Sequence, residues 1–274
     1  MPTLRVNGVD IYYESAGSGP PLLLIHGLGS CTADWENQFS HFAKSRRVIS
    51  MDVRGHGKSG RPPGPYSVEA FARDAVALLD ELNASPADVL GLSMGGMIAF
   101  QMAVDSPKAV RSLIVLNSGP AVIFKKLSQH IMIRMRFVII RLFGMKALGR
   151  MISRAVFPEP GQEQFRDRFA ATIGANDPTA YKAALAAIIG WSVEDRIPGI
   201  RCPVLILSSD MDYTPVDWKR DYTRKIPGAE LAVIESSRHM TPFDQPAALN
   251  RVVEDFLSKN SPQEVSRTPF QGTK

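Results

Sequence analysis

Six apolar runs constrain this chain more than any other feature: Pro21–Ile25, Val48–Met51, Ala87–Leu90, Ser112–Leu116, Val204–Leu207 and Leu231–Ile234. None keeps the strict apolar–polar alternation of a strand with one wet face, so each reads as a strand covered on both sides, as in a parallel sheet. Parallel neighbours need crossover connections, and helix-like stretches do lie between the runs. In the clearest, Ser67 to Leu82, Ser67 is placed to cap and Phe71, Ala75, Leu78, Leu79 and Leu82 recur at helical spacing. An antiparallel hairpin, Leu4–Val6 and Asp10–Tyr13 about the turn dipeptide Asn7-Gly8, precedes them. The expected architecture is therefore a three-layer α/β sandwich around a mostly parallel sheet of about eight strands.

The alternation stops between residues 119 and 198, which hold helical segments and no convincing strand. The expected organisation is a core of residues 1–118 and 199–258 carrying an inserted helical cap of residues 119–198. The last residues, 259–274, have no periodicity and read as a disordered tail.

Chemistry enters where Asp88-Val89-Leu90 runs into Gly91-Leu92-Ser93-Met94-Gly95-Gly96 and then into an apolar helical stretch. This is a G-x-S-x-G turn between strand and helix, the setting in which a serine is held clear of a sheet as a nucleophile. The glycines two before and two after Ser93 remove Cβ atoms that so tight a turn would crowd. After the run ending at Ile25, His26-Gly27-Leu28-Gly29 fits a loop donating a second amide to an oxyanion, so the backbone N–H groups of Leu28 and Met94 are the candidate oxyanion hole.

Five histidines are available. His239 follows the run ending at Ile234 on a loop and is the candidate general base. His26 reads as a residue bonding loop backbone, and His56 as part of a structural loop, Asp52 to Ser59, in which Asp52 and Arg54 pair with each other or with backbone. His41 and His130 lie on helical faces without a motif. The acid that orients the base should follow Val204–Leu207, in Ser208-Ser209-Asp210-Met211-Asp212. Asp212, deeper in the loop, is favoured; Asp210 is the runner-up, with loop amides as its other use, and Asp217 stands third. Ser93, Asp212 and His239 then occur in the nucleophile, acid, base order of this kind of sheet.

These segments resemble the α/β-hydrolase superfamily over about Leu4 to Leu257. Gly64-Pro65-Tyr66-Ser67 and the elbow Gly91 to Met97 are similar to 3-oxoadipate enol-lactonases and related small esterases. The resemblance implies the α/β-hydrolase fold and acyl transfer. A serine at the elbow, where the superfamily's dehalogenases and epoxide hydrolases carry aspartate, argues against both of those activities. The long basic segment at 119–198 does not resemble the enol-lactonase cap.

Composition bounds the partners. Of 274 residues 45% are hydrophobic and 22% charged, enough for a sizeable core. The net charge of +5 is concentrated in residues 121–160, where Lys125, Lys126, Arg134, Arg136, Arg141, Lys146, Arg150 and Arg154 face only Glu159. A general nucleic-acid footprint is therefore not expected. No secretory pattern opens the sequence, and Cys31 and Cys202 sit in no metal-ligand spacing. The expectation is a cytoplasmic enzyme without metal or cofactor, hydrolysing a small-molecule carboxylic ester. A lactonase, a carbon–carbon bond hydrolase and, from another class, a ligand-binding receptor on the same scaffold are the alternatives. In the segment Ile131 to Phe143 the apolar side is expected to roof the acyl pocket with its arginines solvated; membrane contact through the basic face is the reading not favoured.

Overall fold

The computed structural model describes residues 2–123 and 127–260, without the side chains of Ser128 and Gln129. Lys125, Lys126 and the tail beyond Asn260 lie outside the described residues. The strands are β1 (Thr3–Val6), β2 (Val9–Ala16), β3 (Pro21–Ile25), β4 (Arg47–Met51), β5 (Ala87–Leu92), β6 (Val110–Leu116), β7 (Val204–Ser209) and β8 (Glu230–Ile234). They form one sheet in the order β1-β2-β4-β3-β5-β6-β7-β8. β1 and β2 pair antiparallel, as do β2 and β4, and every other pair is parallel.

The absence of alternation in the apolar runs has a direct structural cause. Leu23 and Ile25 of β3 enter one core, and Leu22 and Leu24 enter another across the sheet. β6 divides in the same way, with Leu113 and Val115 on the first side and Ile114 and Leu116 on the second. Both faces are dry along these stretches, so successive positions are apolar, and each such side chain contributes about 1.5–3 kcal/mol through burial. The last run departs from the expectation: β8 is an edge strand, its Val233 is 41% exposed, and it is not covered on both faces. Helices α2 (Val68–Glu81) and α3 (Met94–Asp105) cover the first face. Helices α1 (Glu36–Phe42) and α9 (Pro246–Lys259) cover the second. Ser67 caps α2 as its position suggested, its hydroxyl accepting from Ala70 N at 3.1 Å. α9 ends at Lys259, the first residue of the segment expected as tail.

Between β6 and β7 lie α4 (Leu127–Val156), α5 (Glu163–Gly174) and α6 (Pro178–Ile188). The two ends of this insertion are tied by a lone antiparallel bridge, Ala121 to Ser192, and by Val122 N donating to Trp191 O at 2.8 Å. α7 (Val216–Thr223) and the short α8 (Thr241–Asp244) flank the last two strands.

One expectation about the insertion is corrected. Much of the apolar surface of the segment Ile131 to Phe143 does not pack over the sheet: Met132, Met135 and Val138 are each 51% exposed and Leu142 is 64% exposed. Nor are all its arginines solvated, because Arg136 is turned inward. The helix breaks at Gly144, whose φ of 76° suits glycine, so its two halves point differently and cannot present one continuous inner face.

Candidate active site

The sharp turn after β5 puts Ser93 at φ 54° and ψ −117°, a left-handed conformation that costs free energy for a residue with a Cβ. The surroundings hold it there. Ser93 N donates to Leu116 O at 3.0 Å, and the Ser118 hydroxyl donates to Ser93 O at 2.6 Å. A Cβ on Gly91 would collide with Gly95 O, and one on Gly95 would collide with Ile25 O. The turn closes this tightly only because both positions are glycine.

Across from the elbow, the loop after β3 passes Ser93 at van der Waals distance: a Cβ on Gly27 would stand 3.9 Å from Ser93 Oγ. Leu28 is the next residue along that loop, and Met94 is the first residue of α3. His26 does not face the site. Its Nε2 accepts from Val53 N at 2.9 Å and its Nδ1 lies 2.7 Å from Gly27 O, so both ring nitrogens are committed to backbone. Burial lowers its pKa to about 4 and that of His56 to about 3, keeping both rings neutral. Asp52 accepts from the amides of Thr32 at 2.7 Å and Lys58 at 2.8 Å. Arg54 does not pair with it; the guanidinium reaches Asp74 on α2, with Nη2 2.6 Å from Oδ1. His41, on α1, lies 3.2 Å from Glu254.

The ends of β7 and β8 bring Asp212 and His239 together. Asp212 Oδ1 is 2.8 Å from His239 Nδ1, with the carboxylate fully enclosed and the histidine 8% exposed. Asp210 instead accepts from Ser236 N at 3.0 Å and Ser237 N at 3.1 Å, locking the turn that carries His239. Asp217 is exposed and pairs with Arg220.

Four residues at this site carry no motif in the sequence. Lys219 of α7, wholly buried, places Nζ 2.7 Å from Asp212 Oδ2 and 3.0 Å from Ser208 Oγ. Burial alone would raise the pKa of Asp212; the charge and hydrogen bond of His239, then those of Lys219, outweigh it and hold the carboxyl well below the usual range. Asn117, at φ 47° beyond β6, receives Ser209 N at 2.8 Å on Oδ1 and donates from Nδ2 to His239 O at 3.0 Å. It stitches the ends of β6 and β7 to the histidine loop.

Tyr213 is the third. Its ring lies against His239, centroids 4.4 Å apart, and its hydroxyl stands 3.0 Å from Nε2, where it also faces Ser93. Although 69% of its surface is exposed, the hydroxyl end is enclosed, and that enclosure together with the Asp212 carboxylate pushes its pKa up to about 12. It stays a neutral phenol. The fourth is Arg136 of α4, whose positive charge acts on the buried Tyr181 and on Tyr213. Its Nε is enclosed without a partner, and no carboxylate among the described residues pairs with it. Tyr181 in turn packs on Gly29, so the arginine reaches the site from the side of the loop after β3.

The sheet order, the elbow and the loops at the carboxyl ends of the strands define a hydrolase of the α/β type. Residues 20–246 match the alpha/beta hydrolase fold family, and the chain belongs to it. Among its relatives is a 3-oxoadipate enol-lactonase of Acinetobacter baylyi, 26% identical over 94% of this chain and 96% of that protein. Among solved structures, the enol-lactonase from Burkholderia xenovorans superposes with a TM-score of 0.87 at 26% identity, covering 94% of this chain and all of that one. A thermophilic esterase from Thermogutta terrifontis does so with a TM-score of 0.83 at 25% identity, over 95% and 97% of the two chains.

Proposed function

We propose that this hydrolase cleaves small carboxylic esters through an acyl-enzyme on Ser93. His239 Nε2 takes the hydroxyl proton as Ser93 Oγ attacks the carbonyl carbon, Asp212 holds the imidazole with its proton on Nδ1, and the Leu28 and Met94 amides receive the developing oxyanion. The alcohol leaves with the proton returned by His239. Water, deprotonated by the same ring, then releases the acid. The observation that carries this reading is the 2.8 Å contact between Asp212 Oδ1 and His239 Nδ1 on the loops beside a strained elbow serine. Ser93→Ala should leave the protein folded and abolish hydrolysis of aryl esters. Retention of more than about a hundredth of the rate would remove Ser93 from the role.

A lactone is the second reading, and Arg136 favours a version of it. An inward guanidinium without a carboxylate suits a substrate that brings its own, as the names of the relatives 3-oxoadipate enol-lactonase and (E)-2-((N-methylformamido)methylene)succinate hydrolase suggest for theirs. Comparison of kcat/KM for matched neutral and carboxylate-bearing esters and lactones, in the natural protein and in Arg136→Met, tests it. The ratio should fall about tenfold in the variant, and an unchanged ratio would assign Arg136 to structure.

A further inference from the structure

The stretch of α4 before its break at Gly144 is an arm about 25 Å long. Ile133, Phe137 and Ile140 on its inner side join the second core. The outer side is also apolar. Leu127, Ile131, Met135, Val138 and Leu142 recur on one face and are 76%, 49%, 51%, 51% and 64% exposed, and Phe143 extends the stripe at 69%. A helix facing water normally turns polar residues outward. A contiguous apolar patch of this kind on a monomer marks an interaction surface.

The charges around it select the partner. Arg134 and Arg141 are exposed beside the stripe, and Lys146, Arg150 and Arg154 are exposed beyond the break. Among the described residues none of these five forms an ion pair, and the only acid in residues 121–160, Glu159, is engaged with Arg238. A second copy of the chain docked by the same face would set Arg134 and Arg141 against like charges under two-fold symmetry. A nucleic acid would meet the apolar stripe between its phosphates. An anionic bilayer satisfies both features, receiving the apolar side chains at the acyl boundary while the guanidinium groups remain among the headgroups. No helix among the described residues is long and apolar enough to cross a membrane, so the contact is in-plane.

We propose that the outer face of α4 docks the protein on the surface of an anionic lipid bilayer. The inner face of the same arm carries Arg136, so docking would seat the bilayer on the side of the helix opposite the one that faces Tyr213. Binding is independent of whatever ester is cleaved, and the test needs no turnover.

The full chain is sedimented with vesicles of phosphatidylcholine alone or with phosphatidylglycerol added, at low and high salt. The expected result is roughly tenfold or stronger partition onto the anionic vesicles, reversed by salt. It should be lost in Leu142→Ser/Phe143→Ser and again in Arg134→Glu/Arg141→Glu. These positions are exposed, and circular dichroism checks that each variant keeps its fold. Absence of partition, equal partition onto neutral vesicles, or a dimer in analytical ultracentrifugation that the Leu142→Ser/Phe143→Ser variant abolishes would each overturn the proposal.

Discussion

Lys219 Nζ lies 2.7 Å from Asp212 Oδ2 while His239 occupies the other oxygen, so one enclosed carboxylate is shared between a buried cation and the candidate base. The pair links the local stability of the β7 loop to the orientation of the imidazole. Removing one member should cost more than removing both, because a lone charge would remain in the interior. Lys219→Met is expected to lower stability by about 3–5 kcal/mol, and Lys219→Met/Asp212→Asn by less than the sum of the single changes. Urea unfolding of the three variants checks this; additive losses would mean that the pair is not coupled.

Asp212→Asn and Asp210→Asn separate orientation of the base from support of its loop. An amide at 212 no longer holds the proton on Nδ1 and should reduce kcat by roughly 10⁴. At 210 the remaining carbonyl oxygen still accepts an amide, so a loss below about tenfold is expected. Steady-state kinetics on folded protein decides it, and the reverse ranking would transfer the acid to Asp210.

The Tyr213 hydroxyl occupies the side of His239 Nε2 that receives the Ser93 proton in the mechanism proposed above. Breaking that hydrogen bond before attack costs about 1 kcal/mol. Tyr213→Phe should therefore raise the acylation rate on a small aryl ester about fivefold, read as the burst phase in stopped flow. A fall in rate would make the hydroxyl a participant in the reaction.

Asp34, 3% exposed in the turn Thr32–Trp35 that follows the loop after β3, has its pKa raised to about 7, first by burial. Its folded value exceeds the unfolded one, so the stabilisation from the bound proton is present below about pH 4 and is lost as pH rises towards 7. Asp34→Asn keeps the shape and cannot ionise. Its melting temperature relative to the natural protein should rise by roughly 5 °C between pH 5 and pH 8. A difference that stays flat across this range would show that Asp34 is ionised throughout.

Much of the fold was legible because its causes are local in sequence. A strand dry on both faces must be apolar at every position, and five such runs with helices between them, with the partly exposed edge run Leu231–Ile234 as a sixth, leave few arrangements other than a parallel sheet with two helical layers. The elbow at Ser93 and the pairing of Asp212 with His239 were legible for a related reason: each residue lies just past the carboxyl end of a strand, and the glycines at 91 and 95 betray the tight turn at Ser93. Lys219, Asn117, Tyr213 and Arg136 were not. A lysine on a helix, an asparagine after a strand, a tyrosine in a loop and an arginine in a basic helix are each ordinary at the surface, and their sequence neighbours do not say which way they face. The tertiary structure decided that, by bringing the ends of β6, β7 and β8 and the inner side of α4 to one place where a buried charge must find its partner. The same packing left the outer side of α4 bare, since one helix can bury only the face that its neighbours cover.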